Sequence, residues 1–227
     1  YFRRHNVKYT DMLPSSVKVP SIIDFLVENR ISYFFASFRK KIPSRYELSR
    51  MLSKNAKVHL FYIAKLDSLG HEFGPNSSGF LTDIQRIDEM VESSVKLIEQ
   101  SYEDIELIVL SDHGMAPVTG YIDLRAKMPS ELRLGIDYLV FLDETLARFW
   151  FFNEKAREEV VEILRKSQFG HLILNEDFRK YGLDFQDSKY GEVFFVMKQS
   201  NVIFPSFFGR LLKNSLKGMH GYLPSEP

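Results

Sequence analysis

Two strongly apolar runs separated by a helical pattern constrain the fold of this chain more than any other feature. Val58 to Leu66 and Ile105 to Leu110 are rich in β-branched, aromatic and leucine side chains, which predicts two strands buried on both faces. Between them, apolar residues recur at helical spacing from Thr82 to Ile98. A strand, a helix and a second strand in this order predict parallel strands joined by a right-handed crossover. We therefore expect an α/β fold with a doubly wound, mostly parallel sheet.

The second half of the chain has a different pattern. Leu139 to Leu142 and Ala147 to Phe152 predict two strands joined by a tight turn, and a charged amphipathic helix follows at Glu154 to Ser167. Such clustering predicts a smaller α+β insertion. We expect residues 1–124 to form part of the α/β core, residues 125–200 the insertion, and residues 201–227 a return to the core.

Composition and charge exclude several functional classes. Thirty Lys and Arg balance thirty Asp and Glu, so the chain lacks the basic platform that nucleic-acid binding needs. The absence of cysteine excludes a disulfide scaffold, a thiolate metal site and a cysteine nucleophile. No apolar run approaches the roughly 20 residues of a membrane span. Absence of cysteine favours a cytoplasmic compartment, but the first residue is not Met, so an upstream signal peptide or anchor stays open.

Acidic and imidazole side chains follow both apolar runs. Asp67 and His71 follow the first run, and Asp112 and His113 follow the second. A third imidazole, His220, lies in a glycine-flanked segment late in the chain. Ligands of an open parallel sheet sit beyond the carboxyl ends of its strands, and carboxylates with imidazoles suit Zn²⁺, Mn²⁺ or Fe²⁺ better than Ca²⁺. An Asp after a strand is also common in turns and helix caps, so the prediction of a metal site depends on the three groups together.

Three segments carry these residues in a fixed order. They are Leu66-Asp67-Ser68-Leu69-Gly70-His71-Glu72-Phe73-Gly74-Pro75, Ser111-Asp112-His113-Gly114-Met115 and Met219-His220-Gly221-Tyr222. These segments resemble the three signatures of the type I phosphodiesterase/nucleotide pyrophosphatase family, which belongs to the alkaline phosphatase superfamily. The resemblance extends from about residue 17 to residue 224.

The resemblance implies an alkaline-phosphatase-like α/β domain with two divalent metal ions, Zn²⁺ first and Mn²⁺ as the alternative. It implies that Asp67, His71 and His220 bind one ion and that Asp112 and His113 bind the other. The implied activity is hydrolysis of phosphodiester or nucleotide pyrophosphate bonds in a small-molecule substrate, through a metal-activated Thr or Ser nucleophile. We find no convincing nucleophile in residues 1–66, and the family pattern continues beyond the last histidine. We therefore expect the chain to be incomplete at the N-terminus and also at the C-terminus.

Two other interpretations stay open. Phosphonoacetate hydrolases, phosphomutases, sulfatases and lipid-linked phosphoethanolamine transferases share parts of this pattern, and such an enzyme would keep the metals and change the substrate. A non-catalytic metal-binding relative is the second alternative, because no nucleophile is found. The sequence indicates neither the substrate nor the oligomeric state.

Overall fold

The computed structural model describes residues 20–52, 55–183, 188–207 and 216–225. Helices and strands alternate in the first half of the described chain, and strands dominate the second half. The helices are α1 (Ile22–Glu28), α2 (Arg45–Met51), α3 (Lys65–Phe73), α4 (Ser78–Ile98) and α5 (Glu154–Lys166). The strands are β1 (Tyr33–Phe38), β2 (Val58–Ile63), β3 (Ala116–Pro117), β4 (Gly120–Ile122), β5 (Tyr138–Leu142), β6 (Leu146–Phe151), β7 (Gly170–Ile173), β8 (Val193–Met197), β9 (Asn201–Ile203) and β10 (Gly218–Met219). None of the described helices combines the length and apolarity required to cross a bilayer.

The chain divides into two compact units. The described residues of one unit lie within residues 1–65 and 83–108, and those of the other lie within residues 66–82 and 109–227. All the metal ligands predicted from the sequence lie in the second unit. The domain boundaries predicted after residues 124 and 200 stay predictions.

A parallel pair of strands forms the centre of the first unit. β1 and β2 run side by side in register, from Tyr33 beside Val58 to Phe38 beside Ile63. The crossover between them contains α2, which begins at a capping box formed by Ser44 and Glu47. This parallel pair joined through a helix fits the expected α/β fold, but the pair predicted from the sequence was a different one, between the strand from Val58 and residues 105–110.

The core of the first unit is small. It contains Ala36, Phe38, Leu48 and Met90. The expectation that the strand from Val58 is buried on both faces is wrong, because its residues are only partly buried and Tyr62 is 43% exposed. Among the strands of the described residues, β2 pairs with β1 alone. A strand with one neighbour leaves its other edge without ladder hydrogen bonds and part of its side-chain surface uncovered.

The predicted strand from Ile105 to Leu110 is also wrong. The structure gives this segment no strand, and exposure rises to 81% at Leu110. Apolar composition shows that the side chains favour burial, but a strand also needs a neighbouring backbone to pair its N–H and C=O groups. No strand in the described parts of the chain pairs with residues 105–110.

A four-stranded antiparallel sheet forms most of the second unit. Its strand order is β5-β6-β8-β7. Leu142 pairs with Ala147, so the turn between β5 and β6 contains residues 143–145, as the sequence predicts. α5 packs against the sheet through Val160 and Leu164, and both side chains are fully buried with Phe149 and Phe195. The predicted α+β cluster of strands and a helix is therefore present.

Two short strand pairs complete the second unit. β4 pairs in parallel with β9, and β3 pairs antiparallel with β10. The β3–β10 pair places Met219 beside Ala116 and Gly218 beside Pro117. It therefore joins the segment that follows His113 to the segment that carries His220, although more than a hundred residues separate them along the chain.

Candidate metal centre

Asp67 and His71 lie on one face of α3. In the sequence these residues follow the first apolar run, and in the structure they lie in the first and last turns of a helix. Side chains four residues apart lie one above the other on a helix. The distance from His71 Nε2 to Asp67 Oδ1 is 3.2 Å. A turn and a helix both satisfy the four-residue spacing, which is why the spacing alone does not distinguish them.

A glycine on β10 allows this strand to approach α3 closely. An ideal Cβ on Gly218 would overlap the carbonyl oxygen of Gly70 and lie 3.0 Å from its carbonyl carbon. An ideal Cβ on Gly70 would lie 2.8 Å from Met115 Cε. At this contact Lys217 N donates a hydrogen bond of 2.8 Å to the carbonyl oxygen of His71. The absence of a side chain at position 218 thus allows the late segment to approach the helix, and the absence of one at position 70 makes room for Met115.

The ring of His71 is oriented by the same contact. His71 Nδ1 lies 3.0 Å from the carbonyl oxygen of Gly218. A carbonyl oxygen only accepts hydrogen bonds, so the neutral ring carries its proton on Nδ1 and leaves a lone pair on Nε2. His113 has the same arrangement, with Nδ1 3.0 Å from the carbonyl oxygen of Gly114. Both rings therefore present Nε2 as an acceptor or a metal ligand.

Three ligand atoms converge in the second unit. One ligand atom each from Asp67, His71 and His220 lies within 4.8 Å of the other two. His220 Nε2 is 3.6 Å from Asp67 Oδ1. That carboxylate oxygen is buried, and no hydrogen-bond donor in the described chain reaches it. A buried oxygen that faces an imidazole lone pair is unfavourable unless a cation lies between them, so these residues fit a divalent metal ion.

Asp112 and His113 lie beside this group. The rings of His113 and His220 stack with centroids 3.7 Å apart and planes inclined by 19°. His113 Nε2 is 3.6 Å from Asp112 Oδ1, and the Asp112 side chain is 76% exposed. The structure thus brings all five sequence-predicted residues together, three in one tight group and two in a more open one. Their role as ligands stays a prediction.

The surroundings of His220 favour its neutral form. Burial lowers the pKa of His220, and the neighbouring imidazoles of His113 and His71 lower it further, against the opposing effect of Asp67 and Asp112. A metal-binding imidazole must be deprotonated at the ligating nitrogen. The environment of this ring therefore prepares it for a metal ion at neutral pH.

Sequence reasoning missed one part of this centre. The carbonyl oxygen of Gly218 orients His71. Every residue has a backbone carbonyl, so the sequence does not indicate which one acts as the acceptor. The close approach of Gly218 to Gly70 has a weak signal, because Gly70 adjoins His71 and Gly218 lies two residues before His220. A glycine near a ligand indicates that another segment packs closely against the backbone there, but it does not indicate which segment.

Comparison with known families supports the sequence resemblance. Residues 6–223 match the family described as type I phosphodiesterase / nucleotide pyrophosphatase. GPI ethanolamine phosphate transferase 1 of Emericella nidulans is 28% identical over 110 residues, which are 48% of this chain and 11% of that protein. Human ectonucleotide pyrophosphatase/phosphodiesterase family member 1 is 35% identical over 68 residues, which are 28% of this chain and 7% of that protein.

Solved structures share the fold. The structure of human ectonucleotide pyrophosphatase / phosphodiesterase 5 matches with a TM-score of 0.64 and 18% identity, over 90% of this chain and 59% of that one. An inactive variant of the murine protein in complex with AMP matches with a TM-score of 0.63 and 17% identity, over 90% of this chain and 59% of that one. The chain thus has the α/β fold of these proteins. It spans 11% or less of the curated relatives described here.

Proposed function

The chain belongs to the type I phosphodiesterase/nucleotide pyrophosphatase family, and we propose that it supplies the metal-binding part of an enzyme that cleaves phosphodiester or nucleotide pyrophosphate bonds. The observation that carries the proposal is the buried, unpartnered Oδ1 of Asp67, which faces the imidazoles of His71 and His220. A carboxylate and two imidazoles in this arrangement are typical ligands of Zn²⁺ and, with lower preference, of Mn²⁺. Asp112 and His113 are the proposed ligands of a second ion.

The residues of the chain have separate roles in this proposal. Asp67 supplies negative charge, and the carbonyl oxygen of Gly218 keeps Nε2 of His71 directed at the same point. A lowered pKa keeps His220 neutral. Two divalent cations, when bound, stabilise negative charge on the attacking and leaving oxygens of an in-line displacement at phosphorus. We assign no nucleophile among the residues of this chain.

Transfer of phosphoethanolamine is the second candidate function. The observation that favours it is the set of fungal relatives named GPI ethanolamine phosphate transferase 1, including the Aspergillus oryzae protein, which is 31% identical over 96 residues. These residues are 41% of this chain and 9% of that protein. Transfer to an alcohol and transfer to water differ only in the acceptor. The same metal centre therefore serves both reactions.

Metal binding to the purified chain tests the proposed centre. We expect at least about one equivalent of Zn²⁺ or Mn²⁺ by isothermal titration calorimetry and elemental analysis. Asp67→Asn keeps the shape of the side chain and removes its charge, so affinity should fall more than about tenfold. His171→Ala is the matched control, because this histidine lies on β7, outside the centre, and affinity should be unchanged. A chain that binds neither metal, or an Asp67→Asn variant with native affinity, would overturn the proposal.

The type of reaction is tested on the native full-length polypeptide. Release of nitrophenol from bis(p-nitrophenyl) phosphate is compared with release from p-nitrophenyl phosphate and p-nitrophenyl sulfate. Preference for the diester supports a phosphodiesterase, whereas preference for the monoester or sulfate contradicts it. Formation of a glycerol phosphoester in the presence of glycerol separates transfer to an alcohol from hydrolysis. A metal-loaded polypeptide that is inactive on all probes supports a non-catalytic relative.

A further inference from the structure

A buried acid lies in the turn between β5 and β6, outside the five residues of the candidate metal centre. The turn contains Asp143, Glu144 and Thr145, and Glu144 is only 7% exposed. Acidic side chains are rarely buried without a partner, because burial disfavours their charged form. Nothing in the proposed reaction uses this group. Its contacts therefore need another explanation.

Glu144 ties its turn to the segment that follows β9. Glu144 Oε1 accepts a hydrogen bond of 3.1 Å from Ser206 Oγ, and Ser206 is itself buried. The carbonyl oxygen of Glu144 accepts a hydrogen bond of 2.7 Å from the backbone N–H of Ile203. These two bonds fix both the side chain and the backbone of the turn against residues 203–206.

The charges around Glu144 favour its protonated form. Within the described residues no ion pair joins Glu144 to a cation, and the charged group beside it is Asp143 on the same turn. The segments packed on the turn contribute Ser206, Ile203 and Met197, none of which ionises. Burial, followed by the hydrogen bond to Asp143, raises the pKa of Glu144 to about 7. A protonated Glu144 donates to Asp143 and accepts from Ser206 at the same time.

The turn also contacts the segment that carries His220. An ideal Cβ on Gly221 would lie 2.7 Å from Thr145 Oγ1, so Thr145 packs directly against the residue that follows His220. Thr145 is buried, and its carbonyl oxygen accepts a hydrogen bond of 2.8 Å from Met197 N. A displacement of the turn therefore displaces the backbone next to His220.

We propose that Glu144 is a positioning residue that holds His220 in place through Thr145 and Gly221, and that its ionisation loosens this support. The inference rests on the proposed function, because it treats His220 as a metal ligand. With Glu144 protonated, the turn is bonded to Asp143 and Ser206. With Glu144 ionised, two like charges adjoin on a buried turn and the donor to Asp143 is lost. The geometry of the metal centre thus depends on pH through a group that does not touch it.

Glu144→Gln tests the proposal because glutamine imitates the protonated acid. Its amide N–H₂ donates to Asp143, its oxygen accepts from Ser206, and it does not ionise. The measured quantity is the Zn²⁺ dissociation constant of the original chain divided by that of the variant. This ratio should be about 1 near pH 6 and should rise about fivefold or more near pH 8.5, since only Glu144 differs in ionisation between the two chains. Ionisation of the histidines is common to both chains and cancels.

Glu158→Gln is the control, because Glu158 is exposed on α5 and its substitution should leave the ratio at about 1 at both pH values. A ratio for Glu144→Gln that does not change with pH would overturn the proposal. A second readout uses the metal-free chain: the imidazole NMR signals of His220 should show an additional inflection near pH 7, absent in Glu144→Gln. If no variant binds Zn²⁺, the proposed function fails. The NMR titration then decides the positioning role by itself, with an unchanged His220 profile as the refuting result.

Discussion

Gly218→Ala should weaken metal binding at the candidate centre, although Gly218 is not one of the proposed ligands. Gly218 is buried, and an added Cβ would overlap the carbonyl oxygen of Gly70 and lie 3.0 Å from its carbonyl carbon. Both of these atoms belong to the backbone of α3, so no side-chain rotation relieves the overlap. The strand must move away from the helix. That movement carries His220, two residues later, away from His71.

The size of the effect follows from the geometry. Ordinary carbon contacts need about 3.5–4 Å, so β10 must shift by about 0.5–1 Å, and overpacking of this kind costs about 1–3 kcal/mol. Metal–ligand distances tolerate deviations of about 0.2 Å. A shift of this size should therefore lower Zn²⁺ affinity by about tenfold or more. The midpoint of thermal unfolding should fall by about 2–4 °C for each kcal/mol lost.

Calorimetric titration with Zn²⁺ measures the loss of metal affinity, and thermal unfolding of the metal-free chain measures the loss of stability. Gly114→Ala is the matched control, since this glycine adjoins His113 and no heavy atom lies within 4 Å of its ideal Cβ. It should retain native affinity and unfolding temperature. If Gly218→Ala behaves like Gly114→Ala in both measurements, then the close approach of β10 to α3 does not shape the centre and the reasoning is wrong.

Two further predictions concern buried acids. Asp83 is 3% exposed and pairs with Lys65 and Arg86, which hold its pKa below the usual range. The ionised carboxylate therefore stabilises the folded chain above pH 4, and this stabilisation is lost as pH falls through the lowered pKa. Asp83→Asn should lower the free energy of unfolding at pH 7 by roughly 3 kcal/mol and weaken its acid dependence, as measured by urea unfolding from about pH 7 to about pH 3. The pKa of Glu144 is raised from 4.5 to about 7, so its contribution is full below pH 4.5 and lost as pH rises through 7. Glu144→Gln should therefore be more stable than the original chain above pH 7 by on the order of 3 kcal/mol, and equal stability there would contradict the shift.

Local patterns predicted the elements of the second unit well. The apolar runs of β5 and β6 and the amphipathic face of α5 are signals that neighbouring residues carry by themselves. Helix ends were harder to place. The helical pattern predicted from Thr82 begins earlier in the structure, at Ser78, where Ser77 Oγ accepts a hydrogen bond of 3.3 Å from Phe80 N. Both Ser77 and Thr82 have side chains that can cap a helix, and the sequence does not rank them.

Long-range contacts limited the rest of the prediction. Asp67, His71 and His220 were identified because Asp and His beside glycine form a recognisable chemical pattern. The burial of Glu144 left no such pattern, because it depends on Ser206 from a distant segment. Residues 105–110 have an apolar pattern that indicates a preference for burial and does not specify a pairing partner.

The distribution of the proposed ligands along the chain has a consequence for biosynthesis. Asp67 and His71 are synthesised before the strand that brings His220 to them, because many residues separate the two segments along the chain. A nascent or truncated polypeptide that ends before Gly218 therefore has the carboxylate and imidazole of Asp67 and His71 but lacks the third proposed ligand, His220. Retention of an ion by all three proposed ligands would then report that the segment carrying His220 has docked on α3.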